Sequence, residues 1–310
     1  MSFSSTAKAE ICRTPASGEC CELSELAALI HTAGSISISG GVFTLRIDTE
    51  NAAVARRAFG LLKNLYGIHA KTQMHTNQLK RNHIYSLTVE SAASRMVAVD
   101  TRIIGEEGLG FGADTPLTGR RCCRIAFVRG AFLGGGSVTN PEKRYHLEIV
   151  CGQKEFADVL LNIIVELGVA AKSIVRAKNH VVYLKEGDSI VTLLTMMGAH
   201  TSVLSIENIR VLKSMRNSVN RKVNCETGNL SKTVNASLKQ QESIAYISAH
   251  MGLDKLSAAL LEVAEARITH PDATLEELTV LLGAVSKSGV NHKLRKLVSM
   301  AEHLKITRGE

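Results

Sequence analysis

The chain has 310 residues, of which 45% are hydrophobic, and a formal net charge of +8 at pH 7. No apolar run approaches the roughly 18 residues that a membrane span needs, and the N-terminus lacks the apolar segment of a signal peptide. We therefore expect a soluble, cytoplasmic protein of two or three domains, without a membrane or small-molecule partner, whose positive charge allows a polyanionic one.

The seven cysteines include two adjacent pairs, Cys20–Cys21 and Cys122–Cys123. Side chains of adjacent residues diverge, and the chain has no C-x-x-C spacing of the kind that binds zinc. An odd number of cysteines argues against a disulfide framework. The sequence therefore predicts reduced structural thiols, no metal site and no cofactor.

From about residue 20 the chain contains an internal repeat, which a shift of 102 residues reveals. Gly34 falls on Gly136, and the strand pattern FTLRID (43–48) falls on YHLEIV (145–150). With a one-residue gap, LLKNLYGIHAK (61–71) falls on LNIIVELGVAAK (161–172). Each copy is predicted to run helix, strand, strand, helix, strand, strand, helix, so that an α+β domain with two pseudo-symmetric sheets results.

Local signals place turns and caps inside the copies. Gly40–Gly41 predicts a hairpin turn in the first copy and Asn179–His180 the last hairpin turn of the second. A helix over about 50–66 should bury Val54, Ala58, Leu61, Leu62 and Leu65, with Gly67 as its C-terminal cap. The glycine-rich segment 105–119 is predicted to connect the copies; it fails as a phosphate loop because no lysine follows its glycines.

Both copies open with a helix of small residues that stops at a glycine, LAALIHTAG (26–34) and VRGAFLGGG (128–136). These stretches resemble the LAGLIDADG motif of homing endonucleases. The resemblance implies that the two helices pack at the domain centre and that the residue before the last glycine is an acid that binds Mg²⁺. Here those positions are Ala33 and Gly135, which offer no side-chain oxygen. We expect a nuclease scaffold without nuclease chemistry.

The next segment is basic and helical in pattern. Between residues 210 and 239 lie seven lysines and arginines against the single acid Glu226, together with several asparagines. Two interpretations stay open, a solvated linker helix and a nucleic-acid contact. The residues predicted to make secondary DNA contacts are Arg216, Asn220, Arg221, Lys222, Asn224 and Lys232.

Three helices are predicted in the C-terminal region. The first should place Leu256, Leu260, Val263 and Arg267 on one stripe, filled out by Ala259 and Ala264. Thr274 and Glu277 form a capping box at the start of the second, and Gly283 follows it in a turn. Ser286 or Ser288 should cap the third helix. The residues predicted to face inward on the second and third helices are Leu275, Leu278, Leu281, Leu282, Val290, Leu294, Leu297, Val298, Ala301 and Leu304.

This arrangement is typical of a helix-turn-helix module, whose last helix reads the major groove. No acid occurs between residues 278 and 301, and polar and basic side chains are left for DNA. A helical protein-binding domain with a basic face is the alternative. The predicted DNA-binding residues, among them His292 as a polar contact rather than a metal ligand, are Thr274, Ser286, Lys287, Ser288, Asn291, His292, Lys293, Arg295 and Lys296.

Nearly the whole chain resembles the WhiA family of bacterial regulators. The closest stretches are RGAFLGGGSVTNPEKRYHLEIVC (129–151), VNCETGNLSKTVNASLKQ (223–240) and VSKSGVNHKLRKL (285–297). The implied fold is α+β: a two-repeat LAGLIDADG-like domain joined by a helical linker to an all-α helix-turn-helix domain. The expected division is an N-terminal segment (1–19), a degenerate LAGLIDADG-like domain (20–204, repeats about 20–100 and 120–204), a basic helical linker (205–252) and a helix-turn-helix DNA-binding domain (253–310).

The resemblance implies a nucleoid-associated transcription regulator that binds double-stranded DNA and acts in cell division and chromosome segregation. In actinobacterial relatives it implies control of sporulation together with a WhiB-like iron–sulfur protein, whose cluster the cysteines of this chain are not expected to build themselves. Two alternatives remain, a metal-dependent nuclease, which Ala33 and Gly135 oppose, and a division- or nucleoid-associated scaffold acting through protein contacts.

Overall fold

The computed structural model contains two units, Met1–Leu212 and Lys213–Glu310. The residues that it describes are 2–39, 42–77, 82–105, 108–109, 116–283 and 286–308. The predicted turn Gly40–Gly41 and most of the predicted connector, residues 106–107 and 110–115, lie outside them.

The N-terminal segment forms a helix, α1 (Phe3–Ile11), which the sequence did not predict. Ser2 caps it by accepting a hydrogen bond from the Ser5 amide. Ala7 and Ile11 are fully buried in the core of the first unit, so α1 is part of that unit rather than a loose leader.

The first repeat has the predicted element order. A four-stranded antiparallel sheet, ordered β1-β2-β4-β3, lies beside its helices. The elements are α2 (Glu19–Ala33), β1 (Gly34–Ser39), β2 (Val42–Thr49), α3 (Ala52–Tyr66), β3 (Lys71–Asn77), β4 (Asn82–Glu90) and α4 (Ser91–Asp100). A two-stranded pair, β5 (Ile104–Gly105) and β6 (Gly108–Leu109), and a short 3-10 helix at Pro116–Thr118 follow.

The second repeat has the same order, and its sheet, β7-β8-β10-β9, has the same topology. The predicted pair of related sheets is therefore confirmed. The elements are α5 (Arg121–Gly135), β7 (Gly136–Val138), β8 (Leu147–Cys151), α6 (Lys154–Glu166), β9 (Lys172–Arg176), β10 (Asn179–Leu184) and α7 (Gly187–Met197).

Helix α3 forms as its local sequence predicts. The Asn51 side chain caps it by accepting from the Ala53 amide at 2.9 Å. The predicted C-terminal cap, Gly67, follows the helix and adopts a φ of 66°, which a side chain would disfavour. Four of the five predicted apolar positions are buried, and Leu65 is half-buried.

The predicted turn at Asn179–His180 is wrong. Asn179 is the first residue of β10 and pairs with Arg176, so the chain turns at Ala177–Lys178. Ala177 takes a φ of 55°, an unusual conformation for alanine. This register buries Val182 and Leu184 completely or nearly so, and that burial outweighs the turn preference of asparagine.

Helices α2 and α5 form the centre of the first unit, as the motif resemblance implies. They cross so closely at Gly130 that a Cβ there would lie 2.0 Å from the Glu25 carbonyl oxygen. The Glu25 side chain is fully buried, and Arg57 holds its two carboxylate oxygens at 2.7 and 2.8 Å. Arg129 adds a longer contact of 3.4 Å. Two cations therefore compensate the buried carboxylate at the crossing.

A 51-residue helix, α8 (His200–His250), spans the boundary between the two units. In the first unit, the Glu10 carboxylate of α1 accepts hydrogen bonds from the Thr201 and Ser202 amides and from the Ser202 hydroxyl. Glu10 thus supplies from a distant part of the sequence the cap that the start of α8 requires.

The second unit contains the predicted three helices, α9 (Ala258–Thr269), α10 (Leu275–Leu281) and α11 (Lys287–Arg308). Its core also includes Ile244 and Ile247 from the last turns of α8. Among the described residues the bundle therefore has four α-helical segments, one more than the sequence analysis assigned to it, and a short 3-10 helix at Leu253–Lys255. No helix among the described residues is both long and apolar enough to cross a bilayer.

We expect Gly130→Ala to lower the free energy of unfolding by about 1–3 kcal/mol or more, because the new methyl group overlaps the backbone of α2. The matched control is Gly60→Ala on α3, where a Cβ meets nothing within 4 Å. That change should stabilise by up to about 1 kcal/mol through helix propensity. Chemical denaturation followed by circular dichroism distinguishes them, and equal effects would contradict the close crossing.

The cap on α8 should depend on pH. Partial burial alone would raise the pKa of Glu10, but the hydrogen bonds from Thr201 and Ser202 lower it below its ordinary value of 4.5. Its stabilisation is therefore present above that value and lost as the pH falls through the lowered pKa. Glu10→Gln should lower the thermal midpoint near neutral pH and converge with the wild type in acid. Glu262→Gln, at an exposed position on α9, should show no such pH-dependent difference.

Candidate nucleic-acid interface

Local hydrogen bonds cap the starts of α10 and α11. The predicted capping box is present: the Thr274 hydroxyl accepts from the Glu277 amide, and the Glu277 carboxylate accepts from the Thr274 amide. Gly283, after α10, has a φ of 53°. Ser286 accepts from the Gly289 amide at 3.2 Å, so it is Ser286 rather than Ser288 that caps α11.

Arg267 holds the connection between α9 and α10. It lies on the predicted buried stripe and is 2% exposed. Its guanidinium donates to the backbone carbonyls of His270, Pro271 and Ala273, the last at 2.7 Å. The Ser237 hydroxyl of α8 donates to the same Pro271 carbonyl. The sequence placed Arg267 on the right stripe but gave no sign that it binds the connecting backbone.

Helix α11 presents most of the predicted DNA-binding residues to solvent. Ser288, His292 and Arg295 lie opposite its buried residues Val290, Leu294, Leu297 and Ala301. Asn291 and Lys293 are half-buried and, by helical spacing, lie on opposite flanks. The predicted residues that are exposed are Thr274, Ser286, Lys287, Ser288, His292, Arg295 and Lys296.

The basic side chains on this surface differ in whether they form ion pairs. Lys287 pairs with Glu276 of α10 at 2.6 Å, a contact that the sequence analysis did not anticipate. Among the described residues, no ion pair involves Lys293, Arg295 or Lys296. The acid Glu302 lies later on α11 and pairs with Lys239 of α8 at 2.8 Å. The first half of α11 therefore carries uncompensated positive charge.

Two apolar predictions in this unit are wrong. Leu281, expected to face inward, is 53% exposed, and Ala259, expected to fill beside the α9 stripe, is exposed. Helix α10 has only seven residues, and its position against α9 and α11 buries Leu278 fully. A single buried row is all that so short a helix needs, so Leu281 lies at its margin.

The six basic and asparagine residues predicted for secondary DNA contact all lie on α8 and are exposed. Arg216, Asn220 and Asn224 follow four-residue spacing and share one face. Arg221 and Lys232 lie beside that face, whereas Lys222 points away from it. The six residues are therefore not one surface of the helix, and their role in DNA contact stays a prediction.

The positions that bind metal in LAGLIDADG nucleases end the two central helices. Ala33 is the last residue of α2, and Gly135 is the last residue of α5. A Cβ on Gly135 would lie 2.4 Å from the Val150 carbonyl oxygen, so this backbone has no room for an acid there.

Nearby carboxylates are engaged in other contacts. Asp48 pairs with Arg46 at 2.8 Å, and Glu148 pairs with Arg176 and His146, both at 3.1 Å. Partial burial raises the pKa of Glu148, but the hydrogen bonds from His146 and Arg176 outweigh it and lower the value. Glu148 thus remains ionised and bound within its own sheet.

The last turn of α5 also receives a hydrogen bond from a lysine of α1. The ammonium of Lys8, from α1, donates to the Leu133 carbonyl in the last turn of α5 at 2.9 Å. Burial lowers the pKa of Lys8 to about 8, which leaves it mostly protonated at neutral pH. This contact satisfies a carbonyl at the C-terminal end of the helix and places positive charge two residues before Gly135.

Among the described residues, one group of three or more His, Cys, Asp or Glu side chains is close enough to hold an ion, namely Cys20, Cys21 and Cys123. These residues lie in the first turns of α2 and α5, at the opposite ends of those helices from Ala33 and Gly135.

Comparison with known families identifies similar domains along the chain. A profile of the WhiA N-terminal LAGLIDADG-like domain matches residues 19–104, and one of the WhiA LAGLIDADG-like domain matches residues 124–216. A profile of the WhiA C-terminal HTH domain matches residues 219–301, a range that includes the second half of α8.

Curated relatives are similar over nearly their full length. The chain is 46% identical to the probable cell division protein WhiA of Alkaliphilus metalliredigens (strain QYMF), over 97% of this chain and 98% of that protein. It is 45% identical to the probable cell division protein WhiA of Clostridium botulinum (strain Eklund 17B / Type B), over 98% and 99%.

Two solved structures of WhiA proteins are also similar to this chain in fold. Full-length DUF199/WhiA from Thermatoga maritima matches with a TM-score of 0.60 and 25% identity, over 98% of this chain and 99% of that one. The N-terminal LAGLIDADG domain of DUF199/WhiA matches in fold with a TM-score of 0.51 and 23% identity, over 62% and 88%.

Restoring acids should not restore a metal centre. We expect Gly135→Asp to lower the free energy of unfolding by about 1–3 kcal/mol, because its side chain overlaps the Val150 carbonyl. Ala33→Asp, at a position that already carries a Cβ, is the matched control and should cost less. The double variant should not nick plasmid with Mg²⁺, and Mg²⁺-dependent nicking would contradict the geometry described for Gly135.

Proposed function

Because the chain belongs to the WhiA family, we propose that it is a sequence-specific DNA-binding regulator of cell division. Its curated relatives are named as probable cell division proteins, and it carries the family's helix-turn-helix domain. The observation that carries the proposal is the first half of α11, an exposed helical face on which Arg295 and Lys296 form no ion pair with any described residue.

The chemistry of that face suits the major groove. Arg295 is exposed and can donate two parallel hydrogen bonds to the O6 and N7 atoms of guanine. His292 and Ser288 lie on the same face and can contact base edges or phosphate. Lys296, on one flank of that face, is placed for the phosphate backbone.

The support of α11 matters because a base-reading helix needs a fixed orientation. Ser286 caps its start, and Arg267 and the Thr274–Glu277 box hold the segments before it. Because these contacts are made within the domain itself, they limit the ordering that DNA binding would require. The α11 N-terminus also carries free amide donors, which favour a nearby phosphate.

In this proposal the LAGLIDADG-like unit has no nuclease activity and provides a surface for DNA or protein. The absence of side-chain oxygens at Ala33 and Gly135 supports that interpretation, as does the approach of the Val150 carbonyl to Gly135. The proposed setting is the nucleoid, with roles in transcription regulation and chromosome segregation, and in sporulation with a WhiB-like partner if the host is a sporulating actinobacterium.

Arg295→Ala should weaken binding to specific sites by about 1–3 kcal/mol and relax the preference for one base position. We would first map specific sites by footprinting the full-length protein on fragmented genomic DNA with Mg²⁺ present. Titration of the variant against a mapped site and against a scrambled duplex then separates specific from general affinity.

The matched control is Arg308→Ala, which removes the same charge from the far end of α11. It should reduce affinity for both duplexes to a similar, salt-dependent extent. An unchanged site preference in the Arg295 variant would exclude its role in base reading. Diffuse, salt-labile protection by the wild type would favour a scaffold whose selectivity comes from a protein partner.

A further inference from the structure

The two adjacent cysteine pairs are equivalent positions of the internal repeat. The shift of 102 residues that aligns Gly34 with Gly136 also places Cys20 on Cys122 and Cys21 on Cys123. Each pair occupies the second and third positions of its helix, α2 or α5. Because these helices pack closely against each other, both pairs meet at one end of the crossing.

Three of the four thiols converge, and the fourth lies beside them. The Sγ atoms of Cys20, Cys21 and Cys123 all lie within 4.8 Å of one another. The side chain of Cys122 lies close enough to those of Cys21 and Cys123 to interact with both. Side chains of neighbouring residues on one helix do diverge, as the sequence analysis assumed, but two such pairs facing each other across a helix crossing bring their sulfur atoms together.

These distances suit one ion held by several thiolates. Four thiolates around zinc lie about 2.3 Å from the metal, which separates the sulfur atoms by roughly 3.8 Å. The sulfur atoms of Cys20, Cys21 and Cys123 lie within about 1 Å of that separation or closer, so small side-chain rotations would bring them into it. A disulfide would draw two sulfur atoms to about 2.05 Å and would not use a third.

The surroundings favour negative charge on sulfur. Neither Gly18 nor Arg120, the capping positions of α2 and α5, provides a side-chain hydrogen bond to its helix start. Both helices therefore direct free amide donors and the positive ends of their dipoles toward the cysteines.

Burial makes a counter-cation necessary for the inner thiolates. Cys21 and Cys123 are 2% and 3% exposed. A divalent ion would compensate the charge of thiolates at these buried positions. Cys20 and Cys122 are exposed, so an ion can reach the group from solvent.

We propose that Cys20, Cys21, Cys122 and Cys123 form a binding site for one thiophilic divalent cation, of which zinc is the most suitable. Thiolate ligands select zinc over the hard cation Mg²⁺. All four positions are filled by protein, which is typical of a structural rather than a catalytic ion. The ion would join the two repeats at the end of the crossing opposite Ala33 and Gly135.

The test uses the full-length chain, purified without chelators under reducing, oxygen-free conditions. Elemental analysis should find one zinc ion per chain, either as purified or after addition of zinc and desalting. Cobalt added to the metal-free protein should give the intense visible bands of tetrahedral thiolate coordination. Zinc should raise the thermal midpoint of the metal-free protein.

The double variant Cys20→Ser/Cys122→Ser removes the two exposed ligands, so it should fold, but it should bind the metal at least about tenfold more weakly. Cys225→Ser, which removes an exposed thiol on α8, is the matched control and should bind like the wild type. The proposal is overturned if the wild type binds neither zinc nor cobalt, if the double variant binds equally well, or if peptide mapping shows these cysteines joined as disulfides. An iron–sulfur absorption spectrum from the purified protein would also overturn it.

Discussion

The close crossing of α2 and α5 is the constraint on which the rest of the first unit depends. Gly130 lets the two backbones meet, and the buried Glu25 carboxylate, held by Arg57 and Arg129, fixes their position. Each sheet follows directly from the end of one of these helices, since β1 starts at Gly34 and β7 at Gly136. A change in the angle or distance of the crossing would therefore change the position of one sheet relative to the other.

The same crossing explains why loss of the acids is compatible with a stable fold. In a nuclease, repulsion between two carboxylates at the helix ends must be offset by bound cations. Here Ala33 and Gly135 remove that requirement, the approach of the Val150 carbonyl fills the space, and Lys8 binds the last turn of α5. Packing therefore occupies the position beside Gly135 at which the nuclease motif has an acid.

Sequence patterns predicted the features that depend on near neighbours or on the repeat. The two sheets, the Gly67 cap and the Thr274–Glu277 box belong to this class. The missed features join residues far apart in the chain. Glu10 caps a helix 191 residues later, Lys8 binds a carbonyl 125 residues away, and the cysteine pairs meet only because their helices cross. The repeat shift itself related the two cysteine pairs, and combining it with the packing of the motif helices would have predicted their convergence.

In the second unit, the positions that orient α11 were more predictable than the charges it presents. A capping residue and an apolar stripe are local patterns, whereas the pairing of Lys287 with Glu276 depends on how α10 meets α11. That pair has a consequence for recognition. Lys287 must leave a carboxylate before it can bind phosphate, whereas no ion pair with Arg295 or Lys296 has to be broken within the described residues. Exposed ion pairs are weak, so the cost is small, but a phosphate that displaces Glu276 also meets that carboxylate's repulsion. In the proposed interface, base reading through Arg295 and backbone contact through Lys296 therefore require less rearrangement than contact through Lys287, so its centre is expected about two turns into α11.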